Sequence, residues 1–200
     1  MAIDASQSML ADDYQPNRFE AAKSAASLFV DNLKGETGVG VVSFSGASYI
    51  HQQLTTDLSK AKKAIQNITI QGLGGTNIGD ALITSSNLLI TSKRPKVIIL
   101  LTDGRSNVGT SPEEAINYLK GENIIIYTIG VGTNEGGNFT ENDIISTLDE
   151  ETLKKMAEET KGSYFRAEND EQLKESYNQI NSSTEKRLNK DLSSLFMLLA

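Results

Sequence analysis

Three runs of aliphatic, largely β-branched residues fix the class of structure open to this chain: GVGVVSF at 38–44, KVIILLT at 96–102 and IIIYTIGV at 124–131. Neighbouring side chains on a strand point to opposite sides, so runs that stay apolar at consecutive positions suit strands covered on both faces. Helical segments separate them. After Pro16, the apolar residues Phe19, Ala22, Ala26, Phe29 and Leu33 recur every three or four positions, which predicts a helix ended by Gly35. Further helices are predicted over 57–68, 77–90, 111–120, 149–160 and 169–180, with SYFRA at 163–167 as a last short strand. Alternating strand and helix implies an α/β fold, a three-layer α/β/α sandwich around a Rossmann-like, mainly parallel six-stranded sheet. SYIHQQLT at 48–55 follows its neighbouring strand too closely for a crossover, so it should pair antiparallel as an edge strand.

The domain is expected to span residues 1–180, with 181–200 as a C-terminal tail. MAI is short for a buried central strand, which normally runs about five or six residues. The other end stops within the apolar run LFMLLA at 195–200, itself far short of the ~20 residues a membrane span requires. A chain trimmed from a larger protein explains both ends, and the tail reads as the possible start of a membrane helix. GTNEGGNFTEND at 132–143 reads as an exposed, mobile loop.

A net charge of −7 argues against nucleic-acid binding, which needs clustered Lys and Arg to neutralise phosphates, and favours cationic partners or bridging metals. The absence of cysteine excludes disulfides and thiolate chemistry and fits a reducing or an oxidising compartment equally.

In a parallel α/β sheet, ligands collect at the carboxyl ends of the strands. Asp4 follows the first strand, Asp103 follows KVIILLT, and the glycine-rich GLGGTNIG at 72–79 presents Thr76 just ahead of a helix. With Ser6 and Ser8 these make two acids and three hydroxyls, all oxygen donors. Such a set suits a hard cation: Mg²⁺, or Mn²⁺ or Ca²⁺, held by the hydroxyls while the carboxylates act through water or orient the hydroxyls. A shell with few direct charges leaves the ion electrophilic, so an acidic side chain from a partner can complete it.

The arrangement resembles the von Willebrand factor A (vWA) domains, whose metal-ion-dependent adhesion site carries Asp-x-Ser-x-Ser, a loop Thr and a strand-terminal Asp. Here these are Asp4-Ala5-Ser6-Gln7-Ser8, Thr76 and Thr102-Asp103-Gly104. MLADDYQPNRFEAAK and TIGVGT look most like vWA domains of membrane-anchored prokaryotic proteins of the aerotolerance type. The resemblance implies a non-enzymatic, metal-dependent protein-binding module, with Asp4, Ser6, Ser8, Thr76 and Asp103 at the metal and a partner offering an Asp or Glu carboxylate. It also implies a soluble domain in a membrane-associated parent.

The alternative from another class is a haloacid-dehalogenase-type phosphotransferase with Asp4 as nucleophile. That chemistry needs an acid two residues on, where Ser6 stands, and a later acid pair that TIGVGT does not offer. GLGGTNIG fails as a dinucleotide cradle because Asn77 holds a position that needs glycine, and His51 reads as a polar edge residue rather than a catalytic base.

Overall fold

The computed structural model describes residues 1–33, 37–133, 135–139 and 145–198, with side chains described through Thr184. In chain order the strands are β1 (Ala2–Asp4), β2 (Val39–Phe44), β3 (Ser48–Thr55), β4 (Lys96–Thr102), β5 (Ile124–Val131), β6 (Gly137–Asn138), β7 (Ile145–Ser146) and β8 (Tyr164–Ala167). The helices are α1 (Arg18–Asp31), α2 (Leu58–Gln66), α3 (Ile78–Leu89), α4 (Pro112–Leu119), α5 (Glu150–Glu159) and α6 (Asp170–Leu198), with a 3₁₀ turn at Gln7–Leu10.

The main sheet has six strands in the order β3-β2-β1-β4-β5-β8. All neighbours run parallel except β2 and β3, the antiparallel edge pair expected from their short connection. Helices cover both faces, and the alternation along β4 shows why its sequence is apolar throughout. Ile99 and Leu101 pack with Ala22, Ile65 and Tyr177 of α1, α2 and α6, whereas Ile98 and Leu100 pack with Leu82, Ile116 and Met156 of α3, α4 and α5. Burying each such side chain contributes roughly 1.5–3 kcal/mol relative to exposure. Local chemistry sets the helix starts. Ser111 and Glu114 form a reciprocal capping box around Pro112, the first residue of α4, and the Asn77 side chain accepts from Asp80 N at the head of α3.

Several sequence expectations change here. α1 ends at Asp31 with Asn32 as its cap, and Gly35, expected to stop it, lies outside the described residues. The last helix, expected to end near 180, runs on without a break to Leu198, across the boundary assigned between domain and tail. The side chains of the apolar end, 195–200, lie outside the described residues, and among those described no helix is long and apolar enough to cross a membrane. The segment expected as a mobile loop is in part tied down. Gly137–Asn138 pairs antiparallel with Ile145–Ser146 as a small ribbon, and Asp12 N donates to Asn138 O at 3.1 Å while Asn138 N donates to Asp12 Oδ1 at 2.9 Å. Asn134 and residues 140–143 of that segment lie outside the described residues. Its Gly and Asn content signalled turns, but the anchoring partners come from residues 12–13, more than a hundred positions away in the chain.

Candidate functional site

β1 and β4 are adjacent and parallel, so their carboxyl ends finish at one edge of the sheet. Asp4 is the last residue of β1, and Asp103 directly follows β4; both are fully buried. Asp4 Oδ1 accepts from Ser6 N at 2.8 Å, and Asp4 Oδ2 accepts from Thr102 Oγ1 at 2.6 Å. Thr102 Oγ1 in turn accepts from Gly104 N at 3.1 Å. The turn is possible because Gly104 has φ +87° and its missing side chain leaves room for Asp149 O, which would lie 2.6 Å from a Cβ.

Ser6 Oγ and Ser8 Oγ lie 3.2 Å apart, with Ser6 buried and Ser8 partly exposed at the mouth. Thr76 is buried and reaches the same edge through its backbone. Thr76 N donates to Asn107 Oδ1 at 2.8 Å and Asn107 N donates to Thr76 O at 3.0 Å, which clamps the glycine-rich loop to the segment after Asp103. Asn77 N donates to Ser45 O at 2.7 Å beyond β2, and Gln71 N donates to Ala5 O at 2.9 Å. The structure thus joins Asp4, Ser6 and Ser8 by direct contact and sets Asp103 beside Asp4. Thr76 is brought to the edge by its loop, and its side chain makes no hydrogen bond to the other four among the described residues.

Burial, and secondly the charge of Asp103, push the Asp4 carboxyl up to about 7, against the opposing hydrogen bonds from Ser6 and Thr102. A cation at this edge opposes both upward effects, so the residues fit a divalent ion. Among the described residues there is no group of three or more His, Cys, Asp or Glu side chains able to hold a metal, so a cation here depends on hydroxyl donors. Each Asp4 oxygen already accepts from the protein. Asp103 is also engaged on both sides, with Arg105 N at 3.3 Å from Oδ1 and Ser146 Oγ at 2.8 Å from Oδ2.

Sequence reasoning missed the residues behind the site. Arg18, the first residue of α1, is fully buried; its Nε and Nη2 donate to Asp13 Oδ1 and Oδ2, each at 2.7 Å. Its Nη1 donates to Ser146 Oγ at 3.2 Å and lies 3.5 Å from Asp103 Oδ2. The available signal was phase, because Arg18 stands four residues before Ala22 on the buried stripe of α1. His51, read as a polar edge residue, has Nε2 2.7 Å from Ser43 Oγ on the neighbouring strand.

Three exposed apolar side chains lie on the segments that carry the site residues. Leu10 (39% exposed) ends the turn that carries Ser8, Leu73 (54%) lies on the loop that carries Thr76, and Val108 (40%) follows Asn107. A Cβ on Gly75 would meet Val108 Cγ1 at 2.7 Å, so Val108 sits against the residue preceding Thr76.

The von Willebrand factor type A domain family model matches residues 1–179. A UPF0353 protein of Mycobacterium avium is 31% identical over 194 residues, covering 88% of this chain and 57% of that protein, so the chain spans little more than half of that relative. An aerotolerance-related membrane protein from Bacteroides fragilis NCTC 9343 superposes with a TM-score of 0.83 at 27% identity, covering 92% of this chain and 96% of that one. Proximal thread matrix protein 1 of the mussel byssus, solved with a zinc-occupied MIDAS motif, shares the fold at a TM-score of 0.69 and 22% identity, over 90% of this chain and 46% of that one.

Proposed function

The chain belongs to the von Willebrand factor type A family, and from that premise we propose that it is a binding module in which Asp4, Ser6, Ser8, Thr76 and Asp103 hold a divalent cation that captures an acidic side chain of a protein partner. The observation that carries this reading is the engagement of both Asp4 oxygens by Ser6 N and Thr102 Oγ1. Those bonds hold the carboxylate in place, and in this reading it acts through hydrogen bonds while the hydroxyls of Ser6, Ser8 and Thr76 are the direct donors. Mg²⁺ held mainly by neutral oxygens keeps the Lewis acidity to take a carboxylate as a further ligand. The zinc-occupied motif of the mussel protein is in keeping with a cation at this place in the fold.

The partner is a protein in this reading, because Leu10, Leu73 and Val108 expose apolar surface on the very loops that carry the site. A carboxylate flanked by large apolar residues matches both features. We read the role as non-enzymatic because Ser6 stands where the phosphotransferase alternative needs a carboxylic acid, and its hydroxyl is paired with that of Ser8. The parent protein is membrane-associated in our reading, supported by the relative described as a membrane protein.

Thermal melting of the domain with and without Mg²⁺ or Mn²⁺ tests the site. A ligand bound only by the folded state stabilises it by mass action, so the cation should raise the Tm of the wild type and leave Asp4→Ala unmoved. Equal shifts in both proteins would place the cation elsewhere. An apolar-flanked Asp peptide should then bind only with Mg²⁺ present, and its Asn counterpart should not; indifference to that change would refute carboxylate capture.

A further inference from the structure

Arg18 is a buried cation set directly behind the candidate metal site. Two glycines let the backbone close over it and its partner. A Cβ on Gly132, at φ +144°, would lie 2.8 Å from Arg18 Cζ, and a Cβ on Gly137 would lie 2.7 Å from Asp13 Oδ1. Asp13 Oδ2 also accepts from Thr133 N at 2.8 Å and Thr133 Oγ1 at 3.0 Å. Arg18 Nη2 donates to Ser146 O at 2.9 Å, so the guanidinium is held by the segment before α1 and by the β6–β7 ribbon. Packing or hydrogen bonding of Asp103 does not require a charge there, since the neutral Ser146 hydroxyl already donates to Asp103 Oδ2 at 2.8 Å.

We propose that Arg18 is the built-in counter-cation of the metal site: it shares Asp103 with the divalent ion, weakens the hold on that ion, and so preserves its demand for an outside carboxylate. This rests on the reading of Asp4, Ser6, Ser8, Thr76 and Asp103 as the metal site. The physical reason is that Asp13 pairs the Nε and Nη2 side of the guanidinium, whereas Nη1 faces Asp103 Oδ2 at 3.5 Å in a fully buried place that water does not screen, so Arg18 competes with any second cation drawn to the same carboxylate. Arg18 is therefore a positioning residue for charge, acting through Asp103. Because Ser146 bridges the two, occupancy of the site is transmitted to the ribbon.

The test is titration of the full 200-residue chain with Mg²⁺ and with Tb³⁺, comparing wild type, Arg18→Gln and Arg18→Lys. Arg18→Gln removes the charge and keeps a donor, whereas Arg18→Lys keeps the charge and loses the fork. Arg18→Gln should bind Mg²⁺ about tenfold tighter and gain more for Tb³⁺, because the relieved repulsion scales with ion charge. Arg18→Lys should show no such gain. A merely structural Arg18 predicts weaker binding in both variants, and that result, or an equal gain for the two ions, would overturn the proposal. Should Arg18→Gln fail to fold, amide exchange on the wild type decides: Mg²⁺ should alter protection at Thr133 and Ser146, and unchanged protection refutes the link. A wild type that binds neither ion refutes the metal site itself, an outcome distinct from a site that binds but ignores Arg18.

Discussion

Thr102 Oγ1 donates a 2.6 Å hydrogen bond to Asp4 Oδ2, joining the ends of two adjacent parallel strands whose residues lie 98 positions apart in the chain. The same oxygen accepts from Gly104 N, so a single hydroxyl orients one site carboxylate and shapes the turn that presents the other. Both residues are fully buried, and neither partner has water to fall back on.

Thr102→Val keeps the β-branched shape and removes only this hydroxyl. It should destabilise the domain by about 1–3 kcal/mol, the range for orphaning buried polar groups, and shrink the Mg²⁺-induced rise in Tm. Chemical denaturation and metal-dependent melting measure the two effects. A variant as stable as the wild type with an undiminished metal response would show that Thr102 plays no part in orienting Asp4.

Asp13 gives a pH signature. Burial raises its carboxyl, but the hydrogen bonds and charge of Arg18, with those of Thr133, outweigh burial and hold it below the usual aspartate range. A carboxyl depressed in the folded state contributes stability above the unfolded value near pH 4, and that contribution is lost as pH falls through the folded value. Asp13→Asn should therefore be less stable than wild type at neutral pH, and the gap should narrow below about pH 4. Denaturation curves across that window check it. A gap that stays constant would mean that Asp13 holds the fold by shape rather than by charge.

Asn107 clamps Thr76 through two backbone hydrogen bonds, only one of which uses its side chain. Asn107→Ala removes that acceptor and should cost ~1 kcal/mol, while Asn107→Asp retains an acceptor and should restore most of it. Mg²⁺ affinity should follow the same order if Thr76 is a ligand. Identical affinities across the series would remove Thr76 from the set.

The strands of this protein were legible because burial on both faces writes itself into consecutive positions. β3, β4 and β5 have the very limits read from the sequence, and the antiparallel edge followed from a link too short to cross over. Gathering the acid and hydroxyl motif at one edge likewise needed only the rule that parallel strands end together, and Asp4 and Asp103 do meet there.

What the chain alone determined is therefore whatever depends on local periodicity and on strand direction: the α/β layers, the antiparallel edge and the oxygen-rich mouth. What only the tertiary structure decided is which distant side chains satisfy the buried ones. Nothing near Arg18 in sequence announces Asp103 or Ser146, 85 and 128 positions away. An arginine at the first position of a helix reads locally as solvated, and its burial is tolerable only because three separate segments converge to pair it. The ribbon after β5 was hidden for the same reason. Its two short strands pair with each other, but Asp12 and Asp13 tie it and the preceding Thr133 to the rest of the fold, and partners supplied across the fold leave no period in the sequence.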